Sequence, residues 1–155
     1  MKKLLTIFFI TIVSSCCMAQ DSLTIYLTYG TLLNDYSEKT FKSEERVWEI
    51  KDGQIIYFID AHNKRYSDTL KISQGNYDTI TECLKKNNLL KSIDLNLENS
   101  NSYENEYKEY IKGMIIFNGN EYKFNISTNS YSMGNKNSVL KAFKELEQLF
   151  YNVIE

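Results

Sequence analysis

Histidine and cysteine are scarce in this sequence. His62 is the single histidine, and Cys83 is the single cysteine beyond residue 20. A zinc site needs several imidazole or thiolate ligands, so this composition predicts no zinc site, and we assign no metal-ligating residues. A lone cysteine also forms no internal disulfide, even in an oxidising compartment. We therefore interpret Cys83 as a buried, unreactive thiol on a helix and His62 as an exposed turn residue.

Motifs for catalysis and for cofactor binding are also missing. No G-x-S-x-G elbow presents a serine to His62, and no glycine-rich phosphate loop occurs. We predict no catalytic residues and no cofactor, and we expect that the protein is not an enzyme. The least favoured alternative is a small hydrolase that uses two carboxylates held about 5–10 Å apart.

Basic residues do not dominate the charge. Removing Lys2 and Lys3, which belong to the N-terminal segment, leaves 16 basic and 20 acidic residues. This balance lacks the basic surface of nucleic-acid-binding proteins and the cationic stripe of helices that lie on anionic membranes. We expect no nucleic-acid partner, and contact with a membrane only through a lipid.

The first nineteen residues have the pattern of an export signal. Lys2 and Lys3 precede an apolar run from Leu4 to Val13, and small residues follow. The run is shorter than the ~20 residues of a transmembrane helix, and its flanks are typical of a secretory signal peptide. We predict a signal peptide over residues 1–19 and a single globular α+β domain over residues 20–155.

The end of this signal allows two cleavage sites. Val13-Ser14-Ser15-Cys16 resembles the lipobox of bacterial lipoproteins, in which the cysteine is acylated and becomes the new N-terminus. The resemblance implies cleavage before Cys16, a lipid on Cys16 and an inner- or outer-membrane anchor. Cleavage after Ala19 is the alternative. The Ala19-Gln20 sequence at this site resembles the signal-peptide end of exported Bacteroidetes proteins. Cleavage there would leave a periplasmic or secreted protein.

Two turn dipeptides, Asp52-Gly53 and Asn118-Gly119, each separate two β-prone runs. Both predict type I′ hairpins, in which the two central residues need positive φ. The predicted cross-strand pairs are Ile50 with Ile55, Trp48 with Tyr57, Ile115 with Tyr122, and Phe117 with Asn120.

Apolar residues at helical spacing predict one helix over Gln74–Asn88, capped by Asn76, and another over Ser138–Ile154, capped by Ser138. Residues 30–45 and 92–110 are polar and predict loops. The fold class is therefore α+β: an antiparallel sheet of about five or six strands built from two β-hairpins, with two helices packed on one face.

The predicted loop 92–110 supplies the candidate interface, because tyrosine is enriched at protein interfaces and this loop combines tyrosines with acids. The candidate residues are Tyr103, Glu104, Glu106, Tyr107 and Glu109. An oxygen-ligand calcium site between Asp94 and Glu109 is left open, although the spacing does not match an EF-hand.

Three Asp-Ser/Thr-apolar triplets begin at Asp21, Asp68 and Asp78. They resemble the O-glycosylation sequon of exported Bacteroidetes proteins, and this resemblance implies Ser22, Thr69 and Thr79 as acceptors. The same triplets also suit strand starts and the first turns of helices.

The first functional hypothesis is a lipid-anchored, non-catalytic binding protein of the bacterial cell envelope. An inhibitor or immunity-type protein with another envelope or secreted protein as its partner fits this hypothesis. The alternative is a structural or accessory envelope lipoprotein.

Overall fold

The structure is a computed structural model, and it describes residues 21–35, 40–61, 64–97, 107–129 and 136–155. Within these ranges the chain forms seven strands and two helices. Their bounds are β1 (Leu23–Asp35), β2 (Thr40–Lys51), β3 (Gln54–Ala61), β4 (Lys64–Lys71), α1 (Gln74–Lys86), β5 (Ile93–Leu97), β6 (Tyr107–Phe117), β7 (Asn120–Thr128) and α2 (Ser138–Ile154).

All seven strands belong to one mixed sheet in the order β4-β3-β2-β1-β6-β7-β5. β5 runs parallel to β7, and every other neighbouring pair is antiparallel. The prediction of five or six antiparallel strands is therefore wrong in strand number and in the direction of one strand. The chain leaves β4 at one edge, passes through α1 and returns at the opposite edge, where β5 joins in parallel.

Both predicted loops contain strand residues. Residues 30–45 hold the second half of β1 and the start of β2, where Thr31 pairs with Glu44. Residues 92–110 hold β5, in which Leu95 pairs with Ile126, and the first residues of β6. These strand residues were predicted as loops because many of their side chains are polar and show no purely apolar alternation. Cross-strand hydrogen bonds and packing stabilise them instead.

Both predicted hairpins are confirmed, with the predicted cross-strand pairs. The φ angles are 52° at Asp52, 72° at Gly53, 50° at Asn118 and 78° at Gly119. Positive φ at both central positions is the type I′ geometry, which matches the natural twist of the two flanking strands.

The core lies between one sheet face, called the inner face, and the two helices. Trp48 is fully buried there, and its ring centroid lies 5.4 Å from that of Phe150 and 5.0 Å from that of Tyr151. Buried side chains of α1, α2 and the inner face form a single hydrophobic cluster. The opposite side of the sheet, called the open face, is covered by neither described helix.

The predicted helix caps are wrong, by three positions at α1 and by one position at α2. The Ser73 hydroxyl caps α1 by accepting a hydrogen bond from the backbone N of Asn76 over 3.2 Å. The Asn137 side chain caps α2 by accepting from the backbone N of Val139 over 2.9 Å. A capping side chain must precede the first helical residues in order to reach their free N–H groups, and Asn76 and Ser138 lie inside the first turns.

The two ends of the sheet differ. One end, called the turn end, holds both type I′ turns, the start of β1 and the start of α1. There the backbone N of Ile72 donates to the carbonyl O of Gly53, and that of Asn118 donates to the carbonyl O of Ser22. At the other end, called the far end, β1, β3, β5 and β7 finish.

Candidate binding surface

The structure describes two of the five predicted interface residues, Tyr107 and Glu109, and both belong to β6. Glu109 is only 8% exposed. Its carboxylate lies 3.3 Å from the ammonium of Lys144 and accepts a hydrogen bond from the Tyr107 hydroxyl over 3.1 Å. Glu109 therefore points at α2 and not at solvent. The remaining three, Tyr103, Glu104 and Glu106, lie outside the described residues, and the predicted interface stays a prediction.

A second buried carboxylate, that of Glu147 on α2, was not predicted. Its Oε1 accepts hydrogen bonds from Arg46 Nε over 2.8 Å and from Trp48 Nε1 over 3.2 Å. Burial raises the pKa of the Glu147 carboxyl above its ordinary value, although Arg46 and then Trp48 act to lower it. The detectable pattern was an acid on the apolar stripe of an amphipathic helix, between Phe143 and Phe150.

These two carboxylates have structural partners. Glu147 is paired with Arg46, which also contacts Glu44 over 3.1 Å, and Glu109 is paired with Lys144. The pairs join β2 and β6 to α2, and neither acid lines either of the two pockets described below. A carboxylate that acts on a substrate must be reached by that substrate. The arrangement therefore supports a role in positioning α2.

Metal ligands do not cluster in the part of the chain that the structure describes, where no three His, Cys, Asp or Glu side chains are placed to hold an ion. Asp94 lies on β5 and accepts a hydrogen bond from the Asn125 amide over 3.0 Å. His62 lies outside the described residues. The calcium hypothesis for the stretch from Asp94 to Glu109 remains a hypothesis.

Cys83 is buried on α1, as predicted. It borders a shallow groove of about 450 Å³ between the helices. Burial raises the pKa of the thiol, although the Asn87 amide donates to Sγ over 3.4 Å and acts to lower it. Since the thiolate is the reactive form, a raised pKa keeps this cysteine protonated and inert at neutral pH.

A second pocket, of about 330 Å³, lies at the turn end. Its lining includes Asp21, Asp52, Gln74 and Tyr77. The hydroxyl of Tyr77 already donates to the carbonyl O of Asp21 over 2.6 Å. This pocket therefore sits where β1 begins.

The open face carries an unusual row of apolar side chains. Ile56 is 38% exposed and Phe58 is 37% exposed. Phe58 pairs with Val47 in the β2–β3 ladder, and Tyr26 pairs with Met114 in the β1–β6 ladder. These residues form a diagonal band across four strands, called the apolar band. Its members are Val47, Ile56, Phe58, Tyr26, Met114 and Ile116.

Charges of opposite sign flank the apolar band. Glu45 and Glu49 lie on β2, and Lys112 and Lys123 lie on β6 and β7. Between them the Tyr110 hydroxyl donates to Glu45 over 3.2 Å, and the Lys112 ammonium lies 5.5 Å from the Tyr110 ring centroid. The open face therefore carries charges of both signs around the apolar band, and Glu49 lies within the band, paired with Ile56 on β3 and Tyr26 on β1.

Tyr110 can cross the sheet because its neighbour on β1 is Gly30. A Cβ at Gly30 would overlap the ring of Tyr110. The missing side chain leaves room for the ring to lie across β1 and reach Glu45 on β2. Glycine at this position thus allows β6 and β2 to be joined across β1 by the Tyr110–Glu45 hydrogen bond.

The three hydroxyl residues named as glycosylation acceptors, Ser22, Thr69 and Thr79, are exposed. The Thr79 hydroxyl donates to the carbonyl O of Gly75 over 2.8 Å, and Thr69 lies on the edge strand β4. Glycosylation at Ser22, Thr69 and Thr79 stays a prediction.

Neither helix among the described residues has the length and apolar character needed to cross a membrane. The chain matches no protein-family model and no curated protein. Its function is therefore inferred from the residues and surfaces described above.

Proposed function

We propose that this is an exported, lipid-anchored, non-catalytic binding protein of the bacterial cell envelope, and that it binds a partner protein through the open face. The observation that carries the proposal is the exposure of Ile56 and Phe58 in a face that neither described helix covers. Apolar side chains that form a contiguous exposed patch are typical of interaction sites.

The flanking charges define the chemistry of the partner. A complementary surface presents apolar side chains to Phe58 and Ile56, basic groups to Glu45 and Glu49, and acidic groups to Lys112. Burial of the apolar band supplies the driving force, whereas the charge pattern sets orientation and association rate. The partner that fits this description is another envelope or secreted protein. This chain would bind it in the manner of an inhibitor or immunity-type protein.

Export and lipid attachment rest on the N-terminal sequence. The lipobox-like Val13-Ser14-Ser15-Cys16 supports acylation of Cys16, and cleavage after Ala19 is the alternative. The start of the fold agrees with either site. Asp21 and Ser22 form hydrogen bonds with Asn118, so residues close behind either predicted cleavage site belong to the fold.

Affinity capture from an envelope fraction tests the proposal when wild type is compared with two lysine variants. Phe58→Lys places a charge in the apolar band. Tyr66→Lys is the matched control, because Tyr66 is 52% exposed but pairs with Ile59 on the inner side of β4.

We expect the same partner to be captured by wild type and Tyr66→Lys and to be lost with Phe58→Lys. Capture retained by a folded Phe58→Lys protein would contradict the open-face assignment. A second copy of this chain as the captured species would replace the proposed partner with a homodimer. Capture of nothing by any variant would favour the accessory-lipoprotein alternative.

A further inference from the structure

The first described residue of the chain is firmly held at the turn end. The carboxylate of Asp21 lies 2.8 Å from the Lys85 ammonium and accepts a hydrogen bond from the Asn118 amide over 2.8 Å. Its carbonyl O accepts from the Tyr77 hydroxyl over 2.6 Å, and the next backbone N, of Ser22, donates to Asn118 Oδ1 over 2.9 Å. These contacts join the start of β1 to α1 and to the second turn.

A lipid on Cys16 would leave a very short tether. Asp21 follows Cys16 by five residues, a span of at most about 18 Å even when fully extended. The headgroup layer of one leaflet takes up about 5–8 Å of that length. By contrast, the 13 residues of β1 carry the chain roughly 40 Å from the turn end towards the far end.

The turn end also presents cations. Lys51 finishes β2 and Lys71 finishes β4, both beside the Asp52-Gly53 turn, and both side chains are exposed. Neither lysine takes part in an ion pair with another described residue. Exposed lysines close to a bilayer are attracted by anionic headgroups, and these two outnumber the exposed carboxylate of Asp52 in the turn beside them.

We infer that the turn end is the membrane-facing surface of the protein, with β1 directed away from the bilayer and the open face accessible from the side. This orientation rests on the lipid anchor proposed above. It follows from a short tether, from hydrogen bonds that fix Asp21 to the fold, and from the two exposed lysines. It leaves the apolar band free for a partner in the same compartment.

Headgroup quenching in vesicles tests the orientation. The acylated protein, carrying Cys17→Ser and Cys83→Ser so that one added thiol takes a fluorophore, is reconstituted with lipids whose headgroups bear a quencher. Gln54→Cys labels the turn end and Lys64→Cys labels the far end; both positions are exposed. Ser67→Cys, opposite Phe58 on the β4 side of the open face, reports whether that face lies on the bilayer.

We expect loss of fluorescence at position 54 and little at positions 64 and 67. A twelve-residue Gly-Ser insert after Gln20, whose average span is about 19 Å, should reduce the difference between positions 54 and 64. Equal quenching at positions 54 and 64 in acylated protein would overturn the orientation alone, as would strongest quenching at position 67. Absence of acyl mass on Cys16 would overturn the anchor and the orientation with it.

Discussion

The indole Nε1 of Trp48 donates a hydrogen bond over 3.2 Å to the carboxylate of Glu147, within the buried contact between β2 and α2. The same carboxylate oxygen accepts from Arg46 over 2.8 Å. This acid fixes where α2 lies on the inner face, because any sliding of the helix would leave buried polar groups without partners.

Glu147→Gln should change the pH dependence of stability. Burial raises the pKa of Glu147 above its ordinary value of 4.5 in the folded protein, so its contribution to stability is fully present below that value. The contribution is lost as pH rises through the raised folded pKa. The free energy of unfolding of wild type, measured by urea denaturation, should fall relative to that of the glutamine variant between acidic and neutral pH.

Glu145→Gln is the control for this experiment. Glu145 lies on the exposed side of the same helix, and hydrogen bonds from Lys86 and Asn87 lower the pKa of its carboxyl. A pKa that is lowered in the folded protein has the opposite effect on the pH dependence of stability. The contribution of Glu145 to stability is present above the unfolded pKa and is lost as pH falls through the folded pKa. The same pH trend in both comparisons would contradict the role given to burial.

Gly113→Ala should lower the free energy of unfolding by at least about 2 kcal/mol. Gly113 has φ of 142°, and a Cβ there would overlap the carbonyl O of Tyr26 on β1. Gly75→Ala is the control, since Gly75 lies in the first turn of α1 with open space around it. Urea midpoints that are equal for the two variants would mean that β1 and β6 are not so closely packed.

Phe143→Ala should destabilise the fold by about 3–5 kcal/mol. The side chain of Phe143 is fully buried, and its ring centroid lies 5.0 Å from that of Phe124 and 6.5 Å from that of Tyr29. Lys141→Ala, at an exposed position of the same helix, should change stability by less than about 0.5 kcal/mol. A small effect at Phe143 would show that α2 does not seal the inner face.

The features predictable from the sequence are those encoded by nearby residues. Asp52-Gly53 and Asn118-Gly119 specify their turns through positive φ, and the turn then sets the register of the two flanking strands. The stripe containing Leu140, Phe143 and Phe150 predicts the buried side of α2 because it repeats at helical spacing. Each of these inferences needs only a short stretch of chain.

The features that could not be predicted depend on distant partners. β5 is a short alternating segment, and only its parallel ladder with β7 makes it a strand. The exposure of the open face could not be predicted for a related reason. The hairpin register predicts that Ile55 shares the core face with Trp48 and Ile50, and all three are fully buried. Residues 55–59 of β3 are apolar on both sides, however, so the sequence does not show that the opposite side, with Ile56 and Phe58, is left uncovered by the helices.

Site-specific photo-crosslinking in cells tests the central claim most directly. A photoreactive amino acid replaces Phe58 in the apolar band or Tyr66 on the inner side of β4, at matched expression levels. The open-face account predicts a crosslinked product of higher mass from position 58 and none from position 66. A product from position 66 alone, or from neither position in a folded protein, would contradict binding through the open face.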